Sequence, residues 1–187
     1  MGLKFKSVQK LDKKLHEEYV KQTGNVYGAA SIALYNEWGW KQKRLESLFS
    51  YIKTGLIECA GFSTKKSMLE MLEEETGIEM KLHENGKSYH EIDYLNGALG
   101  MYEIDNMSYA QIMAMRIGQI KWVKATVEAS LFLALHRKNG FGAERIQRLL
   151  DQIFDIEKDH KENTKAITEE CTKLTGIDVF EIMEKRG

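Results

Sequence analysis

The chain repeats itself, and that self-similarity limits its possible folds more than any other feature. When Ala30-Ser31-Ile32-Ala33-Leu34-Tyr35-Asn36-Glu37-Trp38-Gly39-Trp40 is laid beside Leu131-Phe132-Leu133-Ala134-Leu135-His136-Arg137-Lys138-Asn139-Gly140-Phe141, the Ala-Leu pair, the glycine and the following aromatic coincide. The register then continues: Arg44-Leu45 falls on Arg145-Ile146, Leu48 on Leu149, and after a spacer Thr76-Gly77-Ile78 on Thr175-Gly176-Ile177. Each copy spans about 50 residues, in the range of helical repeat units. Each reads as a helix ended by glycine, an aromatic that re-enters the core, a second helix, and a third closed by Thr-Gly-Ile. One such unit buries too little apolar surface to stand alone, so the two copies are expected to pack on each other about a pseudo-twofold axis. The competing reading is chance similarity between amphipathic helices, and the shared Gly-aromatic and Thr-Gly-Ile endpoints argue against it.

Composition supports a helical chain. The 187 residues include no proline, where average usage would give roughly nine, so the commonest helix breaker is missing. Apolar residues make up 43% and charged residues 29%, with 27 Lys+Arg against 28 Asp+Glu. That balance excludes wholesale disorder and a polybasic nucleic-acid tail, and a net charge of −1 argues against an acidic phosphate mimic. No apolar run reaches the roughly 18 residues of a membrane span; the longest, Ala125 to Leu135, is interrupted by Glu128. The N-terminus has no apolar signal core, so the cytoplasm of the host cell is the expected location. Cys59 and Cys171 stand far apart, which predicts two buried thiols and neither a disulfide framework nor a zinc site.

Along the chain, Leu11, Leu15 and Tyr19 predict a first helix stopping at Thr23-Gly24, and a second runs from about Val26 to Gly39. Leu45, Leu48, Phe49 and Ile52 mark a third. Ser67 with Glu70 forms a capping box ahead of Met68, Leu69 and Leu72, and Gly77 closes that helix. Glu84-Asn85-Gly86-Lys87 predicts a β-hairpin turn between Met80-Leu82 and Tyr89. Asp93 to Asn106, with Gly97 and Gly100, reads as a linker or functional loop. Ser108 with Gln111 opens a long helical pattern that Gly118 is a candidate to divide. Helices around Ile146–Ile153 and Ile167–Leu174 follow, and a short last one is capped by Asp178 with Glu181. The expected fold is mainly α, a duplicated three-helix unit packed as a helical bundle, with one small β-hairpin in the middle. An N-terminal unit covers residues 1–78 (repeat at about 30–78), the hairpin and loop 79–106, and a C-terminal unit 107–187 (repeat at about 131–177).

Chemistry-bearing constellations are sparse. His83, His90 and Asp93 flank the hairpin with metal-ligating side chains, but no His-Glu-x-x-His pattern supports them, so a metal-dependent enzyme is a second alternative only. Asp151, Asp155 and Asp159, with His160 alongside, share one helix face opposite Ile146, Leu149 and Ile153, as a solvated face does. No nucleophile elbow or phosphate-cradling glycine loop occurs. No catalytic residue, metal ligand or cofactor is therefore assigned. The basic residues are more informative. Lys41, Lys43 and Arg44 follow the first Gly-aromatic turn, and Arg137, Lys138, Arg145 and Arg148 surround the second. These predict two related positive corners able to hold phosphates beside Trp38, Trp40 or Phe141; the plainer reading has the bases solvating helix ends and the aromatics in the core. Ser108 to Lys124 also resembles a helix-turn-helix, with Ala114 and Gly118 at the usual separation. On that reading Arg116, Gln119, Lys121 and Lys124 face double-stranded DNA, as in a transcriptional regulator. Val123 falls one place early for the usual apolar anchor, and a continuous core helix is the competing reading.

Ala134-Leu135-His136-Arg137-Lys138-Asn139-Gly140-Phe141-Gly142-Ala143-Glu144-Arg145-Ile146, with its trailing Thr175-Gly176-Ile177, resembles a pattern in small helical proteins encoded by phages and prophages. The resemblance covers each repeat but not the central hairpin and loop. It implies a mobile-element origin more than an activity. Inhibitors of host defence nucleases, anti-CRISPR proteins among them, are a known class of small phage proteins of this size without catalytic motifs. The expected role is therefore a non-enzymatic binding protein that occludes the nucleic-acid path of such a nuclease. The implied partner is that nuclease or its nucleoprotein complex, with double-stranded DNA and a second copy of the chain as further partners, and no membrane. No residue role is carried over, since no motif defines that class.

Overall fold

Two stretches of unbroken burial organise the structure. Residues 23–34 and 127–135 are buried at every position, so a segment of each of two long helices is enclosed on all sides. Their sequences explain why: apart from Asn25 and Glu128, both are mostly apolar or small around the whole helical circumference, which leaves no solvent face. The computed structural model describes residues 2–56, 68–80 and 108–184. These form α1 (Gly2–Trp38), α2 (Gln42–Tyr51, continued by a π-helical turn Ile52–Leu56), α3 (Met68–Thr76), α4 (Tyr109–Asn139), α5 (Ala143–Asp159), α6 (Thr164–Thr175) and α7 (Val179–Glu184). The chain is a mainly helical bundle, and no strand occurs among the described residues. None of these helices is long and apolar enough to cross a membrane. The predicted hairpin turn at Glu84–Lys87, and with it His83, His90 and Asp93, lies outside the described residues, as do the loop 93–106 and Cys59. Among the described residues no group of three His, Cys, Asp or Glu side chains is placed to hold a metal ion.

α1 runs straight through Thr23-Gly24, which corrects the expected break there. Gly24 acts by close approach. A Cβ on it would lie 2.6 Å from Thr164 Cγ2 and 2.7 Å from Phe180 Cζ, and one on Gly28 would lie 2.9 Å from Ile167 Cγ2. One turn apart on the same face, the two glycines let α6 and α7 sit directly on the α1 backbone. α4 is likewise continuous through Gly118, which is buried. The helix-turn-helix geometry therefore does not form. Gln119, Trp122 and Val123 are buried and Lys121 is exposed, so the segment after Gly118 continues a core-packed helix.

Helix ends follow the local sequence. Ser108 and Gln111 make the reciprocal cap that opens α4. At the other end, Gly140 adopts φ 66°, a left-handed conformation that only glycine takes without strain. Its N–H donates to the His136 carbonyl at 3.0 Å and that of Phe141 to the Leu135 carbonyl at 3.2 Å. The end of α1 has the same pair of bonds: Gly39 N–H to Tyr35 and Trp40 N–H to Leu34, both 3.1 Å. Trp40 and Phe141 then turn back into the core, each 2% exposed. The two Thr-Gly-Ile ends also match in detail. Thr76 Oγ1 donates to the Leu72 carbonyl and accepts from Ile78 N–H, as Thr175 Oγ1 does with the Cys171 carbonyl and Ile177 N–H.

Packing crosses between the halves. α1 lies along α4, and its other main neighbours, α5 and α6, come from the second half; α4 packs on α3 from the first. Leu45 and Leu48 of α2 and Ile146, Leu149 and Ile153 of α5 are buried at helical spacing, which fastens both amphipathic helices to the central pair. Tyr27 and Ser130 tie the central pair together at 2.7 Å. The Ser130 hydroxyl donates to the Val127 carbonyl, which leaves Tyr27 as donor to Ser130.

Candidate functional site: an arginine–aromatic cleft

The two Gly-aromatic turns meet. Phe141 lies 5.6 Å from Trp38 and 5.9 Å from Trp40 between ring centroids, the second contact edge-on. Above this aromatic floor opens a cleft of about 560 Å³, lined by Trp38, Trp40, Arg44, Phe141, Arg145 and Arg148, with Asn139 and Glu144. Each arginine is laid over an aromatic face: Arg44 over Trp40 at 3.9 Å, Arg145 over Phe141 at 5.8 Å and Arg148 over Trp38 at 5.8 Å. Stacking fixes the plane of a guanidinium through cation–π attraction and leaves its N–H edge for a second partner. That edge matches the paired oxygens of phosphate or carboxylate.

Local sequence places these side chains. In both copies the arginine follows the glycine by five residues, Gly39 to Arg44 and Gly140 to Arg145. It stands in the first turn of the helix that begins after the buried aromatic. Neither helix start has a side-chain cap, Lys41 preceding α2 and Gly142 preceding α5. The partial positive charge of two helix N-termini therefore adds to that of the arginines. Glu37 pairs with Arg148 and Glu144 lies in the lining, so the cleft keeps a positive excess while one arginine is held in place.

The other sequence-predicted residues have different surroundings. Lys41 and Lys43 are exposed at the start of α2, and Lys41 Nζ sits 4.3 Å from the Tyr35 ring centroid. Arg137 makes a forked bond to Glu75, with Nε 3.0 Å from Oε2, and holds that carboxyl below its ordinary range. Lys138 donates to the Ser47 carbonyl at 2.7 Å and lies over Tyr51. Both are fastened across the seam between the halves. Arg116 lies 2.7 Å from Asp12 and donates to Gln119 at 2.8 Å. Lys121 is exposed and Lys124 is bound to Glu157. Arg116, Gln119, Lys121 and Lys124 thus form no common surface with the arginine cleft. Trp40 and Phe141 are too buried to stack on a base; their role is to hold the arginines.

One group escaped the sequence reading. Glu128, noticed there only as an interruption of an apolar run, is 2% exposed, and Glu157 is 3% exposed. Burial pushes the Glu128 carboxyl up to about 8 despite Lys124 beside it, with Glu157 adding to the rise. Burial acts to lower Lys124, and the attraction of Glu128 and Glu157 overcomes it, so its ammonium stays above the ordinary lysine range. Compared with known proteins, the chain matches no protein-family model, no curated protein and no solved structure.

Proposed function

We propose that this chain is a duplicated three-helix unit that works by binding, and that its working surface is the cleft formed where the two Gly-aromatic turns meet. The units are residues 30–78 and 131–177, and each contributes an arginine stacked on its own re-entering aromatic, Arg44 on Trp40 and Arg145 on Phe141. The ligand is the phosphate backbone of nucleic acid, and the setting is that of a phage-type inhibitor occupying the nucleic-acid path of a host defence nuclease. One observation carries this reading: Arg44 and Arg145, 101 residues apart in sequence, are stacked on the equivalent aromatics Trp40 and Phe141 and line one cleft. Two fixed donor edges beside two uncapped helix starts suit phosphate oxygens.

The regulator reading lacks this support, because its reading helix would begin at the buried Gln119. The test is affinity capture from host lysate with the wild-type chain and with the Arg44→Ala/Arg145→Ala double variant. The wild type is expected to retain a nuclease or its nucleoprotein complex and to suppress its cutting, and the double variant to do neither. Equal capture and equal suppression by both proteins would overturn the proposal.

A further inference from the structure

On the α4–α5 face lies a second cleft, of about 420 Å³, lined by Lys124, Glu128, Gln147, Leu150, Phe154 and Glu157, with Asp151 and Asp155 at its rim. Its buried groups are unequal in number. A single ammonium, Lys124, serves two buried carboxyl groups, with Nζ 2.5 Å from Glu157 Oε2 and 3.9 Å from Glu128 Oε1. Glu157 Oε1 is buried with no hydrogen-bond partner. An orphaned carboxyl oxygen in the interior forgoes the several hydrogen bonds it would make in water, so a donor there is strongly favoured. Asp151 and Asp155 are exposed and extend the negative field outward, while Leu150 and the half-exposed ring of Phe154 supply an apolar wall.

We propose that this cleft binds an organic cation, a primary ammonium or guanidinium on a flexible alkyl stem, with its head between Glu128 and Glu157 and its stem along Leu150 and Phe154. The head supplies the missing donor to Glu157 Oε1 and the positive charge that balances Glu128 once its proton has left. The stem covers apolar surface as lysine and arginine stems do. The same chemistry is offered by a free polyamine and by a lysine or arginine side chain of another protein.

Binding is coupled to a proton. The charged groups acting on Glu128 are Lys124 of its own helix and Glu157 of α5, with Glu162 beyond Lys124. Glu128 holds its proton up to about pH 8, and an incoming cation displaces it. Affinity therefore rises by up to about tenfold per pH unit below that value and levels off above it.

The experiment is calorimetric titration of the full chain with spermidine and, separately, with N-acetyl-arginine methylamide, between about pH 6 and pH 9. The expected result is stoichiometric binding of at least one probe, strengthening with pH. The stronger probe identifies the source, spermidine for a free polyamine and the arginine derivative for a protein side chain. Glu128→Gln keeps the shape and neutrality that Glu128 has at neutral pH, so it folds; it should remove the pH dependence and weaken binding. Asp155→Asn, at the exposed rim, leaves the interior untouched and should weaken binding a few-fold. Absence of binding by both probes at millimolar concentration, or binding that Glu128→Gln and Asp155→Asn leave unchanged, would overturn the proposal.

Discussion

Lys138 and Ser47 meet across the seam, the ammonium donating to the carbonyl at 2.7 Å, and the contact has a counterpart between Glu37 and Arg148. Adding 101 to Glu37 gives Lys138, and subtracting 101 from Arg148 gives Ser47. A second pair follows the same rule: Gln152 donates to Glu37 at 2.8 Å, and Lys138 lies over Tyr51, 101 residues before Gln152. In each case the end of a long helix touches the second helix of the other half. The side chains differ, yet the positions correspond.

Exchanged packing makes the halves interdependent. Fragments 1–107 and 108–187, made separately, should lack cooperative unfolding transitions, because α1 misses α5 and α6, and α4 misses α3. Mixed, they should recover helical circular dichroism and a single transition. Two independently folded fragments would contradict the exchanged arrangement.

Gly24 gives a sharper local test. A methyl group there collides with Thr164 and Phe180, so Gly24→Ala should destabilise the chain by about 1–3 kcal/mol, although alanine favours helix. Gly142→Ala, where an added Cβ meets nothing within 4 Å, should cost less than Gly24→Ala, at most about 1 kcal/mol, from the preference of a helix N-cap for glycine over alanine. Urea unfolding of the two variants distinguishes an interior contact from a helix terminator.

The buried Glu128 predicts how stability depends on pH. Its carboxyl titrates at about 8 in the folded chain, against an ordinary value of 4.5. Between these values the folded state holds a proton that the unfolded state has released, so this group makes stability fall as pH rises, with no further loss above about 8. Glu128→Gln removes that contribution. Its stability relative to wild type should therefore increase from pH 5 to pH 8 in denaturant titrations, and a constant difference would place Glu128 in contact with water.

Much of this architecture was legible in the sequence because certain positions admit few residues. Gly39 and Gly140 require a left-handed backbone, and the Thr-Gly-Ile ends require a hydroxyl one turn after an acceptor carbonyl. Such constraints survive when surrounding side chains diverge. Gly24 was misread because glycine ends helices and also allows close packing, and only the presence of Thr164 and Phe180 decides between the two. Gly118 was ambiguous for the same reason, and its burial in α4 resolves it. Glu128 gave no signal, since a glutamate within an apolar stretch looks the same whether it reaches solvent or an interior lysine. The sequence shows Arg44, Arg145 and Arg148 as residue types near the Gly-aromatic turns, but neither their meeting in one cleft, where two corners are expected, nor their stacking on Trp40, Phe141 and Trp38. Nor does it show the fastening of Arg137 and Lys138 to Glu75 and Ser47, which depends on how the halves cross.

The most direct test of the central claim is fluorescence anisotropy of a labelled DNA duplex titrated with wild type, Arg44→Ala and Arg145→Ala across a series of salt concentrations. If the two corners are equivalent phosphate-gripping sites, each single variant should weaken binding by a similar factor, about tenfold, and lower the log–log salt slope by about one. Affinity and slope that stay at wild-type values in both variants, or a wild-type chain that binds no duplex at low salt, would contradict it.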